Sequence, residues 1–78
     1  MGGMKTSEAI RHMINESGIS CRSLSASIGR SPTFVSTTLA KDSTPRADTL
    51  AAMADAMGYE LVLRGAGEEI RIDPPGIE

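Results

Sequence analysis

The stretch Ser20–Leu39, S-C-R-S-L-S-A-S-I-G-R-S-P-T-F-V-S-T-T-L, constrains the chain more than any other. Its apolar residues form two short helical phrases broken by one glycine. Leu24 and Ile28 stand four apart, Gly29 follows, and Phe34, Val35 and Leu39 make the second phrase. Residues three or four apart share one face of a helix. Ser20 occupies an N-cap position, where its hydroxyl can accept from the free amides of a first turn. Gly29 can close that helix in the left-handed region without a Cβ clash. Ser31 is placed to cap again, with Pro32 at the first helical position, where a missing N–H does no harm. The pattern predicts helix, tight turn, helix, with Thr33, Ser36 and Thr37 as a small polar face on the second helix.

Two short helices joined by such a turn have the geometry of a helix-turn-helix, whose second helix brings its N-terminal residues to the base edges of the major groove. Helical corners that bind nothing share this spacing, so spacing alone does not separate the two readings.

The flanking sequence supplies a body for the pair. A first helix is expected to begin after Thr6 or Ser7, with Glu8 in its first turn, Ile10, Met13 and Ile14 as its apolar stripe, and Gly18 as its stop. His12 lies off that stripe with no ligand partner at metal spacing, and reads as a structural side chain. Arg11 faces away from the stripe as a solvated charge within reach of phosphate. A fourth helix is expected from near Pro45, capped by Thr44, to Met57, with Gly58 after it. Ala47, Leu50, Met53, Ala54 and Met57 form its core face.

Beyond Tyr59 the period changes from 3.6 to 2. Glu60–Arg64 alternates loosely and Glu69–Asp73 strictly, with Gly65-Ala66-Gly67-Glu68 between them as a hairpin turn. Pro74 and Pro75 forbid further pairing. The expected organisation is a disordered tail over 1–5, a helical domain over 6–58, a β-hairpin over 59–73, and a second disordered tail over 74–78.

The segment Glu8–Gly58 resembles the lambda-repressor-like (Cro or XRE) helix-turn-helix family. The resemblance lies in L-S-A-S-I-G at Leu24–Gly29, S-P-T-F-V-S-T-T-L at Ser31–Leu39 and T-L-A-A-M-A-D-A-M-G at Thr49–Gly58, and spans about two-thirds of the chain. Ser25 stands where the family usually has alanine. Thr38 stands where an apolar residue is usual, leaving Leu39 and Phe34 to carry more of the packing. The base-facing surface lacks Gln, Asn and Arg.

The resemblance implies a mainly α fold, a four-helix lambda-repressor-like domain with an appended C-terminal β-hairpin. It implies a cytoplasmic, sequence-specific transcriptional regulator, a dimeric repressor of phage or bacterial type on a double-stranded DNA operator. Pro32, Thr33, Ser36 and Thr37 are the expected base contacts. Ser20, Arg22, Arg30, Ser31, Lys41, Ser43 and Arg46 are the expected phosphate contacts, the last three from the loop after the recognition helix. Cro-like repressors and similar antitoxins often dimerise through C-terminal strands, which places Tyr59, Leu61, Leu63, Ile70 and Ile72 at a homodimer interface. Two alternatives stay open: an antitoxin that autoregulates its operon and binds a toxin partner, and a protein–protein adaptor that does not use DNA.

Composition sets the remaining bounds. With 78 residues and only Phe34 and Tyr59 aromatic, the chain has room for one small aliphatic, methionine-rich core. Cys21 is the sole cysteine, which excludes an internal disulfide and fits a reducing compartment. No apolar run approaches a membrane span. No enzyme constellation, metal-ligand set or cofactor loop is present, because Gly65-Ala66-Gly67 joins strands instead of opening a helix.

The net charge of −2 disfavours a polyanion partner only until it is divided along the chain. Residues 20–46 hold Arg22, Arg30, Lys41 and Arg46 against Asp42, a balance of +3, whereas residues 47–78 balance to −5. Local field decides where a polyanion docks.

Overall fold

The computed structural model describes residues 3–75. Four helices, α1 (Thr6–Ser17), α2 (Cys21–Ser27), α3 (Phe34–Ala40) and α4 (Ala47–Ala56), precede an antiparallel hairpin of β1 (Leu61–Gly65) and β2 (Glu68–Ile72). The chain is thus mainly helical with a two-stranded appendage. Among the described residues, no helix is long and apolar enough to cross a membrane.

Local chemistry explains most boundaries. Glu8 accepts from the Lys5 amide at 3.3 Å at the start of α1. Gly18 ends that helix at φ 77°, donating its N–H to the Ile14 carbonyl at 2.9 Å. The Ser20 hydroxyl accepts from the Ser23 N–H at 3.0 Å and starts α2. Gly29 then turns the chain at φ 75°, where a Cβ would be strained.

The core forms where the helix faces meet. Ile10, Leu24, Val35 and Met53 are fully buried, joined by Met13, Leu39, Ala54 and Met57, with Phe34, Ile28, Leu50 and Tyr59 among the half-buried residues packed around them. On α4, Ala47 is exposed despite falling on the expected stripe, and Ala51 and Thr49 are buried instead. His12 is exposed, and Cys21 is half-buried against the core.

Two helices start later than their sequence suggests. The α3 helix begins at Phe34, not at Pro32. The Ser31 carbonyl accepts from the Phe34 N–H at 3.0 Å, which folds Pro32 and Thr33 into a turn. The next amide, Val35 N–H, donates to the Ser25 hydroxyl on α2 at 3.0 Å, so the first turn is capped from another helix. The α4 helix begins at Ala47, after an extended Arg46 (φ −62°, ψ 156°), and Thr44 does not cap it.

In the hairpin, Leu61 pairs with Ile72, Leu63 with Ile70 and Gly65 with Glu68. The turn is therefore Ala66-Gly67 alone, with φ of 50° and 77°, the two positive values of a type I′ loop. Leu61, Leu63, Ile70 and Ile72 share one face, as the alternation predicts. Leu61 and Ile72 are half-buried where the hairpin leans on α4, but Leu63 and Ile70 remain 57% and 50% exposed.

Both expected tails reach outside the described residues, at positions 1–2 and 76–78. Lys5, assigned to the first tail, is tied into the fold, since its ammonium pairs with Asp42 at 3.0 Å.

Candidate nucleic-acid interface

The α3 helix is short, and its placement depends on bonds from its neighbours. At its N-terminus, the buried Ser25 hydroxyl donates to the Cys21 carbonyl at 2.8 Å while accepting from Val35 N–H. A buried amide without such a partner would cost about 1–3 kcal/mol. Ser25 thus stitches α2 to α3. At the other end, the Arg11 guanidinium donates to the Leu39 carbonyl at 3.3 Å. Arg11 is therefore a cap on α3, and not the unattached surface charge that its position on α1 suggests.

The loop leaving α3 is anchored by Asp42, which adopts φ 55° and turns its carboxylate toward α1. Its oxygens accept from the Ser7 hydroxyl and from the Lys5 ammonium. The Ser7 bond first, and the Lys5 ammonium second, hold the Asp42 carboxyl below the usual carboxylate range. The same bond to Asp42 raises the Lys5 ammonium. The one acid in the basic segment is thus occupied by a lysine from outside that segment.

With the ends of α3 fixed, its exposed side faces outward. Thr33, Ser36 and Thr37 are all exposed, and the Ser36 hydroxyl donates to the Thr33 carbonyl at 3.1 Å. A groove of about 350 Å³ runs beside α3, lined by Ser31, Thr33, Phe34, Thr37, Thr38, Lys41 and Ser43. A second of about 290 Å³ adjoins it through Phe34, Thr38 and Ser43, and is lined further by Arg30, Thr44, Pro45, Arg46 and Thr49. The two linings hold three cations and no carboxylate.

Seven of the expected contact residues fall on these linings: Thr33 and Thr37 of the base set, and Arg30, Ser31, Lys41, Ser43 and Arg46 of the phosphate set. Ser36 is on the exposed side of α3 outside both grooves. Pro32 lies in the turn ahead of the helix instead of at its first position. Arg22 is exposed on α2, and Ser20 is engaged as the α2 cap.

The cations differ in how they are held. Arg30 stacks over the Phe34 ring, 4.9 Å from its centroid, and donates to the Thr49 hydroxyl at 3.2 Å. Arg46 lies 3.7 Å from Asp48 and is almost fully exposed. Among the described residues, Lys41 and Arg22 make no ion pair.

Phe34, Thr38 and Thr49 were not expected at the site. Thr38 has the clearest trace in the sequence, as a polar residue at an apolar position of the motif. Tyr59, expected at an interface, is half-buried against the core, and its N–H donates to the Ala54 carbonyl at 2.8 Å.

Among the described residues, no group of three or more His, Cys, Asp or Glu could hold a metal ion. No family model matches the chain, and no match is found among curated proteins or solved structures.

Proposed function

We propose that the chain is a lambda-repressor-like, sequence-specific DNA-binding regulator that works as a dimer, with α3 as its recognition helix. The carboxylate-free surface shared by the two grooves beside α3 carries this reading. Hydroxyls at Thr33, Ser36 and Thr37 can donate to or accept from base edges, and a threonine methyl can meet a thymine methyl. Lys41, Ser43, Arg46 and Arg30 line the flank where a phosphate backbone would pass, and contacts of that kind fix register without choosing sequence. Short hydroxyl side chains give weak direct readout, so DNA shape and phosphate contacts supply much of the preference.

The test is binding of full-length protein to duplex DNA from around its own gene, followed by fluorescence anisotropy at several salt concentrations. The expected log affinity falls linearly with log salt, by about 0.9 for each phosphate neutralised, with a few phosphates per subunit. Absence of binding at low ionic strength would reject the reading and favour the adaptor alternative.

A further inference from the structure

The loop leaving α3 carries an acid, Asp42, between two of the expected phosphate contacts, Lys41 and Ser43. We propose that Lys5 is a charge shield for that loop: its ammonium cancels the Asp42 carboxylate, and so raises affinity for DNA without touching the duplex. The inference rests on the DNA reading above, and gives a positioning role to a residue outside the recognition element.

The backbone holds the acid where it opposes a polyanion. Asp42 stands at φ 55° and donates its N–H to the Leu39 carbonyl at 3.1 Å. The next amide, Ser43 N–H, donates to the Thr38 carbonyl at 3.0 Å. These bonds fold the loop back on the end of α3, where Lys41 and Ser43 line the groove beside the helix. The Asp42 side chain is 53% exposed, so burial does not hide its charge. Like charges repel through water over distances up to about the Debye length, roughly 10 Å at 0.1 M salt. A bare carboxylate at this point would repel the phosphates that Lys41 attracts.

Three groups from the start of α1 and its cap answer that charge. The Ser7 hydroxyl and the Lys5 ammonium both donate to the Asp42 oxygens, and Arg11 adds its field while donating to the Leu39 carbonyl. Ser7 brings no charge, and the Arg11 guanidinium is directed at a carbonyl. Lys5 alone sets a full positive charge against the carboxylate, at 3.0 Å. Glu8, the nearest acid on α1, accepts from the Lys5 backbone amide and not from the ammonium. Residues 20–46 balance to +3 by sequence, as Arg22, Arg30, Lys41 and Arg46 against Asp42. With Asp42 paired outside the segment, those four cations are unopposed within it. Lys5 itself lines neither groove, which separates a shield from a phosphate contact. Exposed ion pairs contribute little to folding stability, so the effect belongs to binding.

The experiment compares four full-length proteins: wild type, Lys5→Gln, Asp42→Asn and the double variant. Asparagine tolerates the left-handed backbone and can still accept from Ser7, so Asp42→Asn removes the charge and keeps the loop. Affinity for duplex DNA from around the gene is measured by fluorescence anisotropy at about 50 and about 200 mM salt. Lys5→Gln is expected to weaken binding about threefold or more at the lower salt, and by less at the higher. Asp42→Asn is expected to bind more tightly than wild type, and the double variant at least as tightly. Lys5→Arg should match wild type, and circular dichroism should show unchanged helices throughout. If Lys5 were only a clamp on the loop, both single variants would bind more weakly. If it were a direct phosphate contact, the double variant would stay below wild type and its salt slope would fall by about 1. Either result, or a Lys5→Gln variant that binds like wild type, would overturn the shield while leaving the DNA reading in place. A wild type that binds no duplex even at low salt would reject that reading, and the shield with it.

Discussion

The helical body and the hairpin solve the same problem in opposite ways. In the body, apolar faces are spent on one another, and four apolar side chains, one from each helix, are completely buried. The hairpin contains no buried residue, and its ladder of five pairs leans on α4 at one end only. An isolated two-stranded hairpin is marginal in water, so a strand pair with half its apolar face uncovered is an unfinished structure. The body is thus where burial is concentrated, and the hairpin is where apolar surface stays open.

That contrast is tested most severely by truncating one apolar residue in each region. Met53→Ala empties a fully buried site and is expected to lower the unfolding free energy by about 2–5 kcal/mol in urea titrations, enough to unfold much of the population. Leu63→Ala, measured on dilute monomer, is expected to change it by less than about 0.5 kcal/mol. Equal losses at the two positions would mean that the hairpin is a working part of the core.

Ser25→Ala sharpens the comparison from within the body. It leaves the Val35 amide buried without an acceptor, and a loss of about 1–3 kcal/mol is expected in the same titration. Ser25→Ala should also weaken DNA binding, through misplacement of α3. A loss confined to stability would show that α3 holds its angle by packing alone.

On DNA, the polar and basic parts of the candidate surface should separate. Thr33→Ala, Ser36→Ala and Thr37→Ala are each expected to cost about 1 kcal/mol at the preferred site and to alter sequence preference in a competition assay. Lys41→Ala and Arg46→Ala should weaken all sequences alike and flatten the salt dependence. Identical behaviour of the two sets would move the recognition face elsewhere.

The smallest effect expected is at the Asp42 anchor. Because its carboxyl is held below the usual range in the folded chain, its contribution is present above the ordinary carboxylate pKa of about 4 and is lost as pH falls through the folded value. Thermal melts of Asp42→Asn should lose slightly less stability than wild type on acidification through that window. The site is exposed, so solvent screening keeps the difference slight.

What could be read from the sequence was what depends on near neighbours. The Ser20 cap, the Gly18 stop, the Gly29 turn and the two-strand alternation rest on contacts within a few residues, and each appears at its expected place. Several of the misread features involve distant partners. The start of α3 is decided by Ser25, ten residues from Val35. Arg11 reaches across 28 residues to Leu39, and Lys5 across 37 to Asp42. Helical periodicity also misassigned Ala47, which is exposed, whereas Thr49 and Ala51 are buried. At the candidate site, the exposed hydroxyls of α3 were legible from their phase, but Phe34 and Thr49 entered through Arg30, whose two contacts no spacing announces.

The bonds at both ends of α3 bear on the heat and entropy of recognition. Seven residues make two turns, too few to persist as a free helix, since nucleation is unfavourable and little propagation follows. Held by Ser25 at one end and Arg11 at the other, this helix opens only when its neighbours do. Its inner amides should therefore exchange with solvent at the rate set by global unfolding, unlike those of the hairpin. A partner that docks on α3 then meets a surface already ordered. Its binding should lack the large negative heat-capacity change and the entropic penalty that accompany the folding of a recognition element on contact.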